Sequence, residues 1–173
     1  MKGRRNVLTG QLGEFLACAE LNRRGYIATP FSKNVPEIDL LVFDDHLRAI
    51  PVQVKAFTQA GLAGTATTYM DVTITKDGRQ LVRRKKQISN PDLVYLFLRI
   101  GARYGEDEFF LVRKKDVFEI QYQDYKGWLK KHGNRRPNKP NSLHCALWKK
   151  HLEPYRDNWD ILNEKMSGSK EVS

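Results

Sequence analysis

Apolar positions between Thr9 and Arg24 recur at three- and four-residue spacing, placing Leu12, Phe15, Leu16 and Ala19 on one face. That period predicts an amphipathic helix, with Thr9 as its N-cap and Gly25 as its C-terminal stop. The pattern then changes to short apolar runs and alternation, which predict strands at Tyr26 to Phe31, Ile38 to Phe43 and Ala49 to Phe57. A polar turn through Ser32, Lys33 and Asn34 joins the first two strands. Asp44 to Arg48 reads as a hairpin turn between the second and third.

Thr58 to Thr68 is rich in Gly, Ala and Thr, and predicts a mobile loop. Tyr69 to Thr75 reads as a short strand, followed by a basic segment from Lys76 to Lys86. Further strands are predicted at Asp92 to Ile100 and Glu108 to Arg113, then a helix from Asp116 to Lys131 and an irregular basic loop from Asn134 to Asn141. Trp148, Tyr155 and Trp159 interleave with charge toward a helical end, and residues 166–173 read as a frayed, disordered tail. The order predicts an α/β fold, a single domain over residues 1–165 with a basic C-terminal extension from about Lys126.

Length and charge narrow the functions such a fold could serve. With 173 residues, the chain can bury a substantial core without disulfides or structural metal. Its 30 Lys and Arg against 20 Asp and Glu leave a net charge of +10, which favours a polyanionic partner. No stretch approaches the roughly 18 to 20 apolar residues of a membrane span, so nucleic acid is expected rather than membrane. Met1-Lys2-Gly3-Arg4-Arg5 lacks the apolar run of a secretory signal, and a cytoplasmic location is expected. Cys18 and Cys145 form no metal-binding pair or disulfide framework. His46, His132, His144 and His151 have no zinc-ligand spacing on a helix.

The candidate chemistry lies in the first third of the chain. Gln53 and Lys55 alternate with Val52 and Val54 on one predicted strand, so the two polar side chains share a face. Glu37 and Asp39 share a face of the preceding strand by the same rule. If those strands pair, a carboxylate, an amide oxygen and an ammonium converge on one phosphate, the groups that metal-assisted phosphodiester hydrolysis requires. Gln53 and Lys55 alone would equally suit the solvent face of an amphipathic strand. Glu14 also draws notice on its helix. Glu20 has Arg23 and Arg24 at helical spacing, whereas the three- and four-residue neighbours of Glu14 carry no positive charge, so burial there would call for a metal or a distant cation.

The order Glu14, Asp39, Gln53-Val54-Lys55 resembles the PD-(D/E)XK nuclease superfamily, in particular its Holliday-junction-resolvase-like and Mrr-like branches, over roughly residues 9 to 57. The resemblance implies a restriction-endonuclease-like mixed β-sheet flanked by helices, a Mg²⁺ or Mn²⁺ cofactor, DNA as substrate and a homodimer. It also implies that Asp39 is the main metal ligand, that Gln53 supplies a neutral oxygen, that Lys55 positions or activates the attacking water, and that Glu14 completes the shell. Two features depart from the usual pattern. Gln53 stands where an acid is usual, which removes one negative charge from the metal site. The chain also reads Pro36-Glu37-Ile38-Asp39 in place of adjacent Pro-Asp.

Arg83, Arg84, Lys85 and Lys86, with Arg135, Arg136 and Lys139, are the predicted phosphate contacts, giving affinity without sequence readout. The expected activity is metal-dependent endonuclease action on DNA, including branched or otherwise structured DNA. Two rival readings accompany it. One is a nuclease fold with a weakened site that binds nucleic acid without cutting, and the other is an interaction subunit of a defence or repair complex.

Overall fold

The computed structural model describes residues 2–31 and 35–168. The predicted turn at Ser32 to Asn34 lies outside these residues, as do Met1 and residues 169–173. The described chain forms two compact units. The first comprises residues 1–59, 92–113 and 152–173, and the second residues 60–91 and 114–151.

In the first unit, helix α1 (Lys2–Arg23) precedes strands β1 (Ile27–Pro30), β2 (Leu40–Phe43) and β3 (Ala49–Phe57). Strands β7 (Val94–Arg99) and β8 (Glu108–Arg113) complete a five-stranded sheet in the order β1-β2-β3-β7-β8. The β3–β7 pair is parallel and the other pairs are antiparallel, so the sheet is mixed. Parallel neighbours need a long crossover. Here the crossover carries the first segment of the second unit.

Register explains why one face of this sheet is the core. Leu40 lies opposite Val52 and Val42 opposite Ile50, while Val52, Val54 and Ala56 lie opposite Val94, Leu96 and Leu98. Alternation brings these side chains to the same face. There they pack with Ala17 and Leu21 of α1 and with Ile161, Leu162 and Met166 of a final helix, α4 (Asp160–Gly168). The mixed α/β architecture with a helix-flanked sheet is therefore as expected.

The packed face of α1 differs from the expected one. Leu12 is 45 % exposed and Phe15 61 %, whereas Ala17, Cys18 and Leu21 are buried. Close approach decides the matter. A Cβ at Gly13 would collide with Ala56 Cβ, so the small residues of α1 let the helix lie against β3 more closely than Leu and Phe could. The helix also begins well before Thr9. Thr9 Oγ1 donates to Arg5 O at 2.9 Å within the helix, so its hydroxyl bonds a carbonyl one turn back instead of capping. The predicted stop at Gly25 is present. Gly25 has φ +90°, and Tyr26 N–H donates to Leu21 O, closing the last turn.

Thr58 to Thr68 is not a loop throughout. Gly61–Thr65 forms β4, paired antiparallel with β9 (His144–Trp148), and residues 66–68 form a 3-10 turn. A Cβ at Gly61 would lie 2.6 Å from Leu147 O, so the small residues that suggested a loop permit close strand pairing instead. In the same unit β5 (Met70–Ile74) pairs with β6 (Gln80–Lys85), and helix α2 spans Lys114–Lys131. A second cluster, with Ala66, Met70, Tyr125, Leu129 and Cys145 buried, forms the core of this unit. A short helix, α3 (Lys149–Leu152), follows β9. Residues 166–168, expected in a frayed tail, belong to α4 and Met166 is buried, while the rest of that expected tail lies outside the described residues. Among the described residues no helix is long and apolar enough to cross a membrane.

Candidate active site

The approach to β2 sets the position of Asp39. Val35 to Ile38 form a turn, closed by a long Ile38 N–H to Val35 O bond of 3.5 Å. Pro36 occupies its second position and Glu37, at φ +66°, its third. This is the arrangement of a type II turn, where Gly or Asn fits with least strain. Glu37 therefore holds a left-handed backbone two residues before Asp39.

Asp39 then bonds across to β3 through main chain and side chain together. Its N–H donates to Val52 O at 3.0 Å, and its carbonyl accepts from Phe31 N–H at 2.7 Å. Its Oδ2 accepts the Val54 N–H at 2.8 Å. The carboxylate is thereby fixed against the peptide that links Gln53 to Val54, while Oδ1 has no partner among the described residues.

Gln53 and Lys55 flank Val54 on β3 and are both half-buried. Val52 and Val54 are buried in the core, so alternation turns Gln53 and Lys55 to the opposite face. No hydrogen bond or ion pair engages either side chain among the described residues. Both side chains are partly open to solvent, and their polar ends are available to a ligand. Glu14 follows Gly13, whose Cβ position would lie 3.8 Å from Val54 Cγ1, so its helical turn rests on the same stretch of β3. Glu14 is itself half-buried and faces Cys18, whose thiol is pushed up first by burial and then by the Glu14 charge.

Asp39 and the pair Gln53 and Lys55 thus meet where β2 joins β3, whereas Glu14 lies on α1, which packs through Gly13 on the core face that holds Val54. Among the described residues, no three His, Cys, Asp or Glu side chains cluster as a metal site. Carboxylate and amide oxygens are the donor types that a hard divalent cation prefers.

The predicted phosphate contacts are less uniform. Arg84 pairs with Asp71 at 2.7 Å, Lys85 pairs with Glu119, and Arg83 Nε donates to Thr73 Oγ1 at 3.3 Å. Arg136 is half-buried, donates to His144 O, and lies over Trp128 at 4.9 Å and Tyr125 at 5.6 Å from the ring centroids. Its guanidinium serves the packing of this unit. Lys86, Arg135 and Lys139 are exposed. Sequence reasoning missed Gln80, which is 1 % exposed. It accepts from Tyr125 Oη at 2.5 Å and donates to Pro140 O at 2.5 Å and Ser142 O at 3.0 Å. A lone Gln in a basic run carries no signal of that role.

The first unit is built on a mixed five-stranded sheet with a helix against it. A solved structure shares the fold: the bacterial homing endonuclease I-Ssp6803I is similar to this chain with a TM-score of 0.55, over 95 % of this chain and 97 % of that one, at 12 % sequence identity. No family model matches the chain. No curated protein matches it in sequence.

Proposed function

We propose that the protein is a metal-dependent endonuclease that hydrolyses phosphodiester bonds in DNA, with Glu14, Asp39, Gln53 and Lys55 as its centre. The observation that carries the reading is the Asp39 carboxylate bonded to the Val54 amide between two half-buried, unengaged polar side chains, Gln53 and Lys55. The likeness in fold to a homing endonuclease supports the reading.

Asp39, Gln53 and Glu14 would hold Mg²⁺ or Mn²⁺, which when bound activates water and neutralises charge on the scissile phosphate. Asp39 Oδ1, which makes no hydrogen bond among the described residues, would be the oxygen offered to the cation. Gln53 contributes an uncharged oxygen, so the centre carries one negative charge fewer than an acidic residue there would give. Lys55 places an ammonium beside the attacked phosphate, where it orients the nucleophile and stabilises the charge that develops in the transition state. Pairing of two copies, which the superfamily resemblance implies, would have the exposed apolar stripe Leu8, Leu12 and Phe15 of α1 available to it.

The test is cleavage of supercoiled, linear, single-stranded and branched DNA in Mg²⁺, Mn²⁺ or EDTA. Activity is expected with either metal and absent in EDTA, and lost in Asp39→Ala and Lys55→Ala. Cleavage that persists in both variants overturns the assignment. Binding without cutting in every metal favours the reading in which the site with Gln53 holds nucleic acid only.

A further inference from the structure

The net charge of the protein is unevenly shared. Sixteen of its 30 Lys and Arg, but only five of its 20 Asp and Glu, lie in residues 60–91 and 114–151, which leaves the second unit at +11 and the first at −1. The unit that holds Asp39, Gln53 and Lys55 therefore contributes no net positive charge to the attraction between this protein and a polyanion. The net positive charge belongs to the other unit.

Within the second unit the cations gather at one end. The β5–β6 turn closes through Thr75 N–H to Arg79 O, and Gly78 packs on Pro140, since a Cβ at Gly78 would stand 2.9 Å from Pro140 Cβ. Asn134 O accepts from Gln80 N–H at 2.7 Å, and Arg135 bridges to Arg79 as an antiparallel pair. Asn134 N–H in turn donates to Leu129 O, so the last turn of α2 runs directly into this loop. Buried Gln80 clasps the loop from within through Pro140 O and Ser142 O.

Turn, loop and helix end are thus one joined platform. Lys76, Lys130, Lys131, Arg135 and Lys139 project from it, all exposed and none in an ion pair among the described residues. This contrasts with Arg84 and Lys85, which face carboxylates. Uncompensated cations on a backbone held by main-chain bonds repel one another unless an external anion lies across them.

We infer that this five-cation end of the second unit is the surface that binds the phosphate backbone of duplex DNA. The inference rests on the proposed DNA substrate but names a different place from the hydrolytic centre. Phosphate contacts made there hold the duplex without reading its sequence. Each neutralised phosphate contact steepens the fall of log K with log salt by about 0.9.

The experiment measures Kd for a duplex oligonucleotide between 50 and 200 mM salt in EDTA, using the full-length protein. Changing all five residues to Gln is expected to reduce the slope by up to about 4.5 and to weaken binding by at least roughly tenfold at the lower salt. A variant with Arg in place of the four lysines keeps the wild-type slope. Changing Arg4, Arg5 and Arg103 of the first unit to Gln also leaves it unchanged. An unaltered slope in the five-Gln variant overturns the assignment. So does equal loss in the Lys→Arg variant, which would mean that packing and not charge was removed. Retention on polyglutamate with no salt-sensitive binding to DNA would overturn it in favour of an acidic protein partner. Failure of the hydrolytic reading shows separately, as cleavage that survives Asp39→Ala.

Discussion

Asp39 Oδ2 accepts the backbone N–H of Val54 at 2.8 Å, and this bond ties the start of β2 to the middle of β3. Structure and proposed chemistry can be separated here because an amide oxygen accepts the same bond without the charge. Asp39→Asn is expected to unfold within about 1 kcal/mol of wild type while DNA cleavage falls by roughly a hundredfold or more. Asp39→Ala loses both, with a stability cost of about 1 to 3 kcal/mol for the unpaired Val54 amide. Urea denaturation read beside cleavage rates distinguishes the two. Equal stability losses would mean that the side-chain bond contributes nothing.

Gln53→Glu restores a negative charge where the superfamily pattern has one. Divalent cation binding, followed by isothermal titration with Mn²⁺, is expected to tighten about tenfold or more, since one added close charge is worth on the order of 1 to 2 kcal/mol at partly exposed sites. Unchanged Mn²⁺ affinity would remove Gln53 from the donor set.

Gly13 is the contact point of α1 on β3. In Gly13→Ala the new Cβ meets Ala56, and the helix must shift, at a cost of about 1 to 3 kcal/mol. Because Glu14 is the next residue, the proposed activity should drop together with the melting temperature. Gly10→Ala, where nothing lies within 4 Å, should be neutral or stabilising. A Gly13→Ala protein as stable as wild type would contradict the packing described for α1.

Alkaline pH should loosen the second unit. Burial pushes the Cys145 thiol up to about 11 from 9.0, with Arg136 opposing and Asp124 adding to the rise. Burial likewise, aided by Cys145, pushes the Tyr69 hydroxyl up to about 12 from 10.0. Both groups release protons at lower pH in the unfolded chain than in the folded one. The stability they contribute is therefore complete below pH 9 and is lost as pH rises from about 9 to 12. Thermal melts should show a falling midpoint across that range, and Cys145→Ala should flatten its lower half. A midpoint that rises with pH there would refute the sign.

Glu37 bears a local strain with a clear expectation. At φ +66° a non-glycine residue costs about 1 kcal/mol or more, so Glu37→Gly should lose little stability or gain some, despite the freedom Gly has in the unfolded chain. A large loss would assign Glu37 a side-chain role that outweighs its backbone.

Strands β2, β3, β7 and β8 were legible because alternation and apolar runs are local signals, and the hairpin at Asp44 to Arg48 follows from its turn residues. Asp44 Oδ1 accepts the His46 and Arg48 amides, at 3.0 and 2.9 Å, as a short acidic side chain in a turn can. The candidate centre was legible for the same reason, since Gln53 and Lys55 lie two residues apart on one strand and Asp39 lies one hairpin away. The pairing of β4 with β9 was not, because its partners are some eighty residues apart and its Gly and Ala content mimics a loop.

The sequence by itself determined most of the elements, the polar positions of the candidate centre on its strand and the total charge, all of which depend on residue type and short-range spacing. Only the tertiary structure decided which face of α1 is buried, which arginines are bound internally, and that the excess positive charge lies wholly in one unit. Those outcomes depend on close approach at Gly13 and on hydrogen bonds such as Gln80 to Pro140 and Ser142, contacts between distant segments that no local periodicity encodes.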